Sequence, residues 1–223
     1  MIKISILTPS VRPDGLKLVE RALKRQTFKN WEWVVVSPVG EKPKDLYWTV
    51  YRDYNRGIRQ CKGELIISWQ DYTSASPDAL QRFWEHFKSE PKTIVSGVGN
   101  KYSDDTFVVE TWHDPRIKNG VSFRECNPLD IELNFSAFPK QAFYDVGGFD
   151  EYLDRYSSLC GVDVLDRLNL IGGWKFKIDE SIRSFSFEHG RLPLWEENSP
   201  LYGIYDEYRK KYEFDNPRLN YLD

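Results

Sequence analysis

Residues 2–37 read IKISILTPSVRPDGLKLVERALKRQTFKNWEWVVVS, and this stretch sets the class of fold. The run 2–9 is apolar, rich in β-branched side chains and closed by Pro9, which is the pattern of a strand buried on both faces. Residues 14–25 follow the Pro13-Asp14-Gly15 turn and carry Leu16, Val19, Ala22 and Leu23 at helical spacing. Residues 31–37 form a second apolar run, stopped by Pro38 and Gly40. Working outward, 46–51 reads as extended and 55–62 as a short helix ended by Gly63. Residues 64–69 read as another buried strand, and Ser76-Pro77-Asp78 opens a helix over 79–88 with proline in its first turn. Residues 93–98 are strand-like. Strand and helix thus alternate through the first hundred residues, which predicts an α/β fold with a mostly parallel sheet flanked by helices. Ligands of such sheets bind at the carboxyl ends of the strands, here residues 8–12, 37–40 and 69–73.

The second half is less regular. Residues 101–130 are polar with scattered aromatics and read as a hairpin or loop. Residues 131–138 read as a strand, 140–145 as a short helix closed by Gly147-Gly148, and 162–171 as an amphipathic helix closed by Gly172-Gly173. Two strands over 174–179 and 182–187 and a C-terminal helix over 199–212 complete the expectation. Neither an internal repeat nor a low-complexity tract is present.

The chain has 223 residues, enough for one elaborated domain, and a formal net charge of -3. That balance provides no basic field for nucleic acid. Cys61, Cys126 and Cys160 are odd in number and widely spaced, so they suggest neither a disulfide framework nor a zinc site and fit a reducing compartment. Apolar runs fall short of the roughly 20 residues that span a bilayer. A strand-like segment begins at once, so the expectation is a cytoplasmic protein without a signal peptide, able to sit peripherally on a membrane. Eight Trp, 13 Tyr and 13 Phe make the chain rich in rings that fill cores and also stack on sugar faces. Trp69, Trp112, Trp174 and Trp195 adjoin the segments of interest.

Gly97-Val-Gly99 follows a strand but lacks the third glycine and the helix of a dinucleotide fingerprint. Walker A, G-x-S-x-G and H-E-x-x-H patterns are absent, which removes the chemistry of P-loop enzymes, serine hydrolases and zinc proteases.

One ordered set of segments is more specific. Ile4-Ser-Ile-Leu-Thr-Pro9 is followed by Arg21-Ala-Leu-Lys-Arg-Gln-Thr-Phe-Lys-Asn-Trp31, then Asn55-Arg-Gly57, Lys62-Gly-Glu-Leu-Ile-Ile67 and Ser76-Pro-Asp-Ala-Leu80. Phe135-Ser-Ala-Phe-Pro-Lys140, Val146-Gly-Gly-Phe-Asp-Glu151 and Gly161-Val-Asp163 come later. In order and spacing this resembles the family 2 glycosyltransferases of the GT-A fold over about residues 2–190.

The resemblance implies residues 1–100 as a nucleotide-sugar-binding half, 101–190 as the acceptor-side and catalytic half of the same domain, and 191–223 as a tail with a helix. It implies a hexosyltransferase of polysaccharide biosynthesis. The donor would be UDP- or GDP-linked and the acceptor a saccharide or a lipid-linked hydroxyl, with inversion at the anomeric carbon. Donor-binding positions carried over are Pro9, Ser10, Arg12, Asp14, Arg56, Asp71 and Arg191. The family's metal-binding D-x-D falls on Gln70-Asp71-Tyr72, which keeps a single carboxylate. Asp71 with His189 is the implied site for Mn²⁺ or Mg²⁺. Asp163 is the implied general base, although Val162 stands where the family has Glu, and Asp150, Trp69 and Trp112 are the acceptor-side candidates. Ser37-Pro38-Val39-Gly40 departs from the family's acidic base-contacting segment. His86 reads as packing or surface, and His113 as undecided. The rival readings are a sugar nucleotidyltransferase, against which Thr8-Pro-Ser-Val-Arg-Pro13 lacks a Gly-rich phosphate loop, and a non-catalytic carbohydrate-binding module of the same fold.

Overall fold

The structure, a computed structural model, describes residues 1–37, 49–118, 122–155, 162–187 and 218–223. The expected helix over 199–212 lies outside them.

Strand β1 (Ile4–Pro9) is flanked by parallel neighbours β2 (Trp31–Val36) and β3 (Leu65–Trp69), with Ile4 opposite both Trp31 and Leu65. Helix α1 (Pro13–Lys24) connects β1 to β2 and helix α2 (Val50–Gln60) precedes β3. A short strand β4 (Thr73–Ala75) then leads into α3 (Ala79–Ser89) and the long β5 (Thr93–Tyr102). Strands β6 (Glu110–Trp112) and β7 (Phe123–Glu125) lie in the irregular middle; then come β8 (Phe135–Pro139), α4 (Lys140–Asp145), α5 (Val162–Ile171) and β9 (Lys175–Phe187). Among the described residues one nine-stranded sheet runs in the order β2-β1-β3-β8-β5-β9-β4, with β6 on β5 and β7 on β9.

Alternation along the strands divides the apolar side chains between two cores. Leu7, Ile66, Ile94 and Phe138 face α2, α4 and α5, where Tyr54, Ile58, Phe143 and Leu168 meet them. Ile6, Ile67, Val95 and Ala137 face α1 and α3, where Val19, Leu23, Leu80 and Phe83 meet them. Both faces of β1, β3 and β8 are therefore buried, which explains their nearly continuous apolar runs.

The sequence expectations need correction at four places. The parallel pattern holds for β2, β1 and β3, but β8 enters antiparallel to β3 and to β5, so the sheet is mixed. Helix α2 begins at Val50, so Tyr51 is helical rather than extended; it is a core residue, and its amide N–H donates to Asp154. Residues 131–134 are a loop, and the strand starts only at Phe135. The two strands expected after Gly173 are one strand, β9, which follows β5 through a register shift between Ser96 and Val98.

Candidate functional site

The reversal at β8 builds the site. Because β8 is antiparallel to β3, its first residue, Phe135, lies beside Trp69 at the carboxyl end of β3. The second half of β5 and the end of β9 reach the same edge, since β5 is antiparallel to β8 and parallel to β9. These segments enclose a cleft of about 500 Å³. Gln70 and Tyr72 line one side, Lys101, Trp112 and Glu132 another, and Ser184 and Phe187 a third. The Gly97-Val-Gly99 pair has its explanation here. A Cβ on Gly99 would lie 2.1 Å from Ser184 Oγ, and one on Gly97 2.8 Å from Ile182 O, so both glycines permit close approach of β5 to β9.

Behind the first wall, between the lining residues Gln70 and Tyr72, Asp71 is buried and its Oδ2 accepts a 2.6 Å hydrogen bond from the Ser10 hydroxyl. Ser10 Oγ in turn accepts from the Arg12 amide at 3.0 Å. Arg12 lies over the Tyr72 ring, 5.4 Å from its centroid. Tyr72 has φ 53°, left-handed for a bulky residue, and its N–H donates to Gly15 O. Gly15 is needed because a Cβ there would stand 2.9 Å from Tyr72 N and 3.1 Å from Asp71 Cβ. The first turn of α1 and the Asp71-Tyr72 turn therefore hold each other. Burial pushes the Asp71 carboxyl up, against the pull of the Ser10 hydrogen bond and the Arg12 charge.

The second wall comes from the segment that looked irregular. Ile131, Leu133 and Phe135 are buried, while Glu132 and Asn134 alternate outward into the cleft. Arg116 stands behind Glu132, 3.5 Å from its Oε2. Its guanidinium is fixed by buried Asp114 at 2.6 Å, by Ser96 Oγ at 3.1 Å and by Asp130 O at 2.9 Å. Asp114 also accepts from Gly99 N at 3.0 Å and lies below the ordinary carboxylate range: burial raises it, and the Arg116 and backbone hydrogen bonds outweigh that. Although its side chain keeps 46% of its exposure, the enclosing cleft desolvates the Glu132 carboxyl and shifts it up, opposed by Arg116 and Lys101 and reinforced by Asp114. Lys101 Nζ stands 5.3 Å from the centroid of the Trp112 ring. That half-exposed ring offers the cleft an apolar face beside a cation.

The residues singled out in the sequence fall into three groups. Ser10, Arg12 and Asp71 come together at the end of β1 beside Pro9, and Trp112 lines the cleft. Asp14 is exposed and paired with Lys17, whose ammonium lowers its pKa. Arg56 turns to Asp53 and to the Ser37 carbonyl at the end of β2. His189, Arg191 and Trp195 lie outside the described residues.

The remaining candidates are placed elsewhere. Trp69 is a core residue, edge-on to Phe135, with its indole N–H donating to Thr73 O at 2.9 Å, so it offers nothing to an acceptor. Trp174 packs against the core and donates to Asp145. Asp163 and Asp150 belong to a buried polar knot. Asp163 Oδ2 accepts from Arg167 Nη2 at 2.7 Å and from Asp150 N at 3.1 Å. Arg167, also fully buried, donates to Val146 O and Gly148 O at 2.6 Å each. Asp150 Oδ1 accepts from Tyr152 N and from the Tyr221 hydroxyl. Asn55 grips the same turn, donating to Phe149 O at 2.9 Å and accepting from Phe149 N at 2.8 Å. Both carboxyl groups are buried and neither lines the cleft, whereas the sequence expectation has Asp163 as a base and Asp150 as an acceptor contact. His86 packs on Phe123 and bonds Asp179 at 2.6 Å, while His113 pairs with Glu110 on the surface.

Glu132, Arg116 and Lys101 were missed by reading along the sequence. The available signal was the alternation Ile131-Glu-Leu-Asn-Phe135, whose polar members had to face something other than the core.

Among the described residues no group of three or more His, Cys, Asp or Glu side chains could hold a metal ion. Asp71 is flanked by Gln70 and Tyr72, which bond each other at 3.2 Å. A hard divalent cation takes several oxygen ligands, and the described donor set does not make such a site.

No family model matches the chain, and no curated protein matches it. Among solved structures 172 chains match. One is a crystal structure of GalNAc-T7 with UDP, GalNAc and Mn²⁺, superposing with a TM-score of 0.69 over 97% of this chain at 10% identity. The fold is GT-A. The chain spans about half the length of that relative, 49%. At this identity the likeness is one of GT-A architecture and does not single out family 2. Among the described residues no helix is long and apolar enough to cross a membrane.

Proposed function

We propose that this GT-A chain is a glycosyltransferase that carries a hexosyl unit from a nucleotide-sugar to a hydroxyl acceptor. The observation that carries the reading is the cleft at the carboxyl end of β3, with Gln70 and Tyr72 on one wall and Trp112, Lys101 and Glu132 on the other, and with the Ser10-Arg12-Asp71 group adjoining it behind Tyr72. The nucleoside diphosphate lies over residues 9–12 beside Asp71, where Arg12 presents a planar fork of donors to phosphate oxygens. Lys101 adds a second positive charge on the opposite wall. The sugar enters the cleft, where the Trp112 face suits the C–H side of a pyranose and Asn134 its hydroxyls. Single displacement with inversion, a UDP- or GDP-linked donor and a saccharide or lipid-linked acceptor complete the reading. GalNAc-T7, solved with UDP, GalNAc and Mn²⁺, supports the donor class.

The test is a panel of UDP-, GDP-, CDP- and dTDP-sugars, followed by thermal shift and by release of nucleoside diphosphate, with Mn²⁺ and with EDTA. One donor class should raise the melting temperature and be turned over. Saturable binding without turnover in either condition supports the binding-module reading instead, which the single carboxylate of Gln70-Asp71-Tyr72 favours. Absence of both binding and turnover across the panel sinks the proposal.

A further inference from the structure

We infer that Glu132 is the group that takes the proton from the acceptor hydroxyl in this cleft. The inference rests on the transferase reading above and names a residue that the family resemblance does not.

Four observations lead to it. Glu132 projects into the cleft, held between the buried anchors Ile131 and Leu133, while its backbone carbonyl accepts from the Ser136 hydroxyl. The antiparallel entry of β8 puts this loop beside the end of β3, where Gln70 N donates to Asn134 O at 3.0 Å, so Glu132 is two residues from a backbone contact to the Asp71 turn. The carboxylate expected from the family to do this work, Asp163, is sealed against Arg167. Finally, the charged groups facing Glu132 are partly neutralised already. Arg116 is committed to Asp114 at 2.6 Å and stands 3.5 Å from Glu132, and Lys101 on β5 lies over Trp112.

The last point decides the chemistry. A carboxylate in a tight ion pair is a poor base, because its partner stabilises the charged form. Glu132 has one cation nearby, 3.5 Å away and committed to Asp114, so its carboxylate is half-exposed in the cleft without a tight ion pair of its own, and desolvation shifts its pKa up from the ordinary value. The step balances as a single displacement. The acceptor oxygen bonds to the anomeric carbon as that carbon's bond to the diphosphate oxygen breaks. The electron pair of the broken bond leaves with the nucleoside diphosphate. The hydroxyl proton passes to a Glu132 carboxylate oxygen and then to solvent.

The experiment compares wild type, Glu132→Gln and Glu132→Asp. Each is given UDP-glucose, UDP-N-acetylglucosamine and GDP-mannose with water or a free sugar as acceptor, and UDP and GDP are titrated as binding probes. For the donor that wild type turns over, Glu132→Gln should lower kcat by about 10²–10⁴-fold. Affinity for the matching diphosphate should stay within about twofold, a change of only a few tenths of a kcal/mol. Wild-type kcat should fall on the acid side as Glu132 protonates. Glu132→Gln should lose that limb, and Glu132→Asp should keep it with reduced kcat. Retention of near-normal kcat by Glu132→Gln, or a raised KM at unchanged kcat, overturns the assignment while leaving the transferase reading in place. A wild type that turns over none of these donors nor any other sugar of the UDP-, GDP-, CDP- and dTDP-linked panel overturns both.

Discussion

The buried knot around Arg167 and the open cleft around Glu132 are built from opposite kinds of sequence. The knot joins the pieces that look most like a family signature: Asn55, Gly147-Gly148-Phe149-Asp150 and Asp163. Most of its polar atoms bond one another and the backbone, Asp163 Oδ1 excepted, and together they fix a turn. The cleft draws much of its lining from residues 101–134, which carry no signature, and Lys101 and Glu132 face its open space while Arg116 behind them is tied to Asp114. A pattern of glycine and carboxylate can thus mark an architectural joint, while the proposed chemistry sits in a segment that carries no such pattern.

The comparison breaks most visibly at Asp163. Replacing it with Asn leaves Arg167 buried without its counter-charge, which costs about 3–5 kcal/mol. Denaturant unfolding of Asp163→Asn should show that loss, with donor binding and activity disappearing together. Glu132→Gln, at the half-exposed edge of the Arg116 network, should unfold within about 1 kcal/mol of wild type, the range of exposed ion pairs. A stable Asp163→Asn variant that binds donor and lacks only turnover would return the base to Asp163 and erase the distinction.

Next in size is Gly147→Ala. Gly147 has φ 69°, and a Cβ would lie 1.5 Å from Leu219 O, where residues 218–223 hydrogen-bond back onto the turn through Leu219 N and Tyr221 N. The left-handed backbone alone costs about 1–2 kcal/mol, and the clash also displaces Leu219. The expected readout is a destabilised protein whose C-terminal residues become sensitive to protease.

Gly15→Ala perturbs the cleft by the same means with a different result. Its Cβ would meet Tyr72 N at 2.9 Å and Asp71 Cβ at 3.1 Å, so the Asp71 turn must shift. Overpacking of this kind costs about 1–3 kcal/mol. Affinity for the donor's nucleoside diphosphate should fall about tenfold, or 1.4 kcal/mol, by titration calorimetry. Gly147→Ala, corrected for its unfolded fraction, should leave that affinity unchanged. If both variants weaken binding alike, the knot and the cleft are not separable.

What is legible in the sequence follows the same divide. The apolar runs of β1, β2 and β3 and the spacing of Val19, Ala22 and Leu23 state their own burial, because each is buried by an element close by in the chain. Ser10, Arg12 and Asp71 are legible as neighbours because the ends of adjacent parallel strands must meet. The direction of β8 is not legible, since Phe135-Ser-Ala-Phe-Pro139 reads the same whichever way its neighbours run. Glu132, Arg116 and Lys101 depend on that direction, and so does the cleft. The surroundings of Asp163 are not legible for a related reason: an Asp at a helix start looks alike facing a substrate or pairing with an arginine four residues on, as Asp163 does with Arg167.

The smallest effect separates the two regions by pH. Asp154 accepts from Tyr51 N at 2.9 Å and Arg52 N at 3.2 Å in the first turn of α2, and burial pushes its pKa to about 7. A carboxyl raised on folding contributes stability fully present below its unfolded pKa and lost as pH rises through the folded one, so its contribution declines between about pH 4 and 7. Asp114 behind the cleft has the opposite sign: held low, it contributes above the ordinary carboxylate range and loses that contribution as pH falls through its lowered pKa. Asp154→Asn keeps an acceptor for one of the two amides and removes the titration. Its melting temperature should therefore change by only about 2–4 °C but decline less than that of wild type between about pH 5 and 7. Asp114→Asn should instead flatten the acid side, below about pH 4. Identical pH–melting curves for wild type and Asp154→Asn would mean that Asp154 stays ionised in the folded chain, its charge carried by the α2 amides and by Arg52, 3.7 Å away.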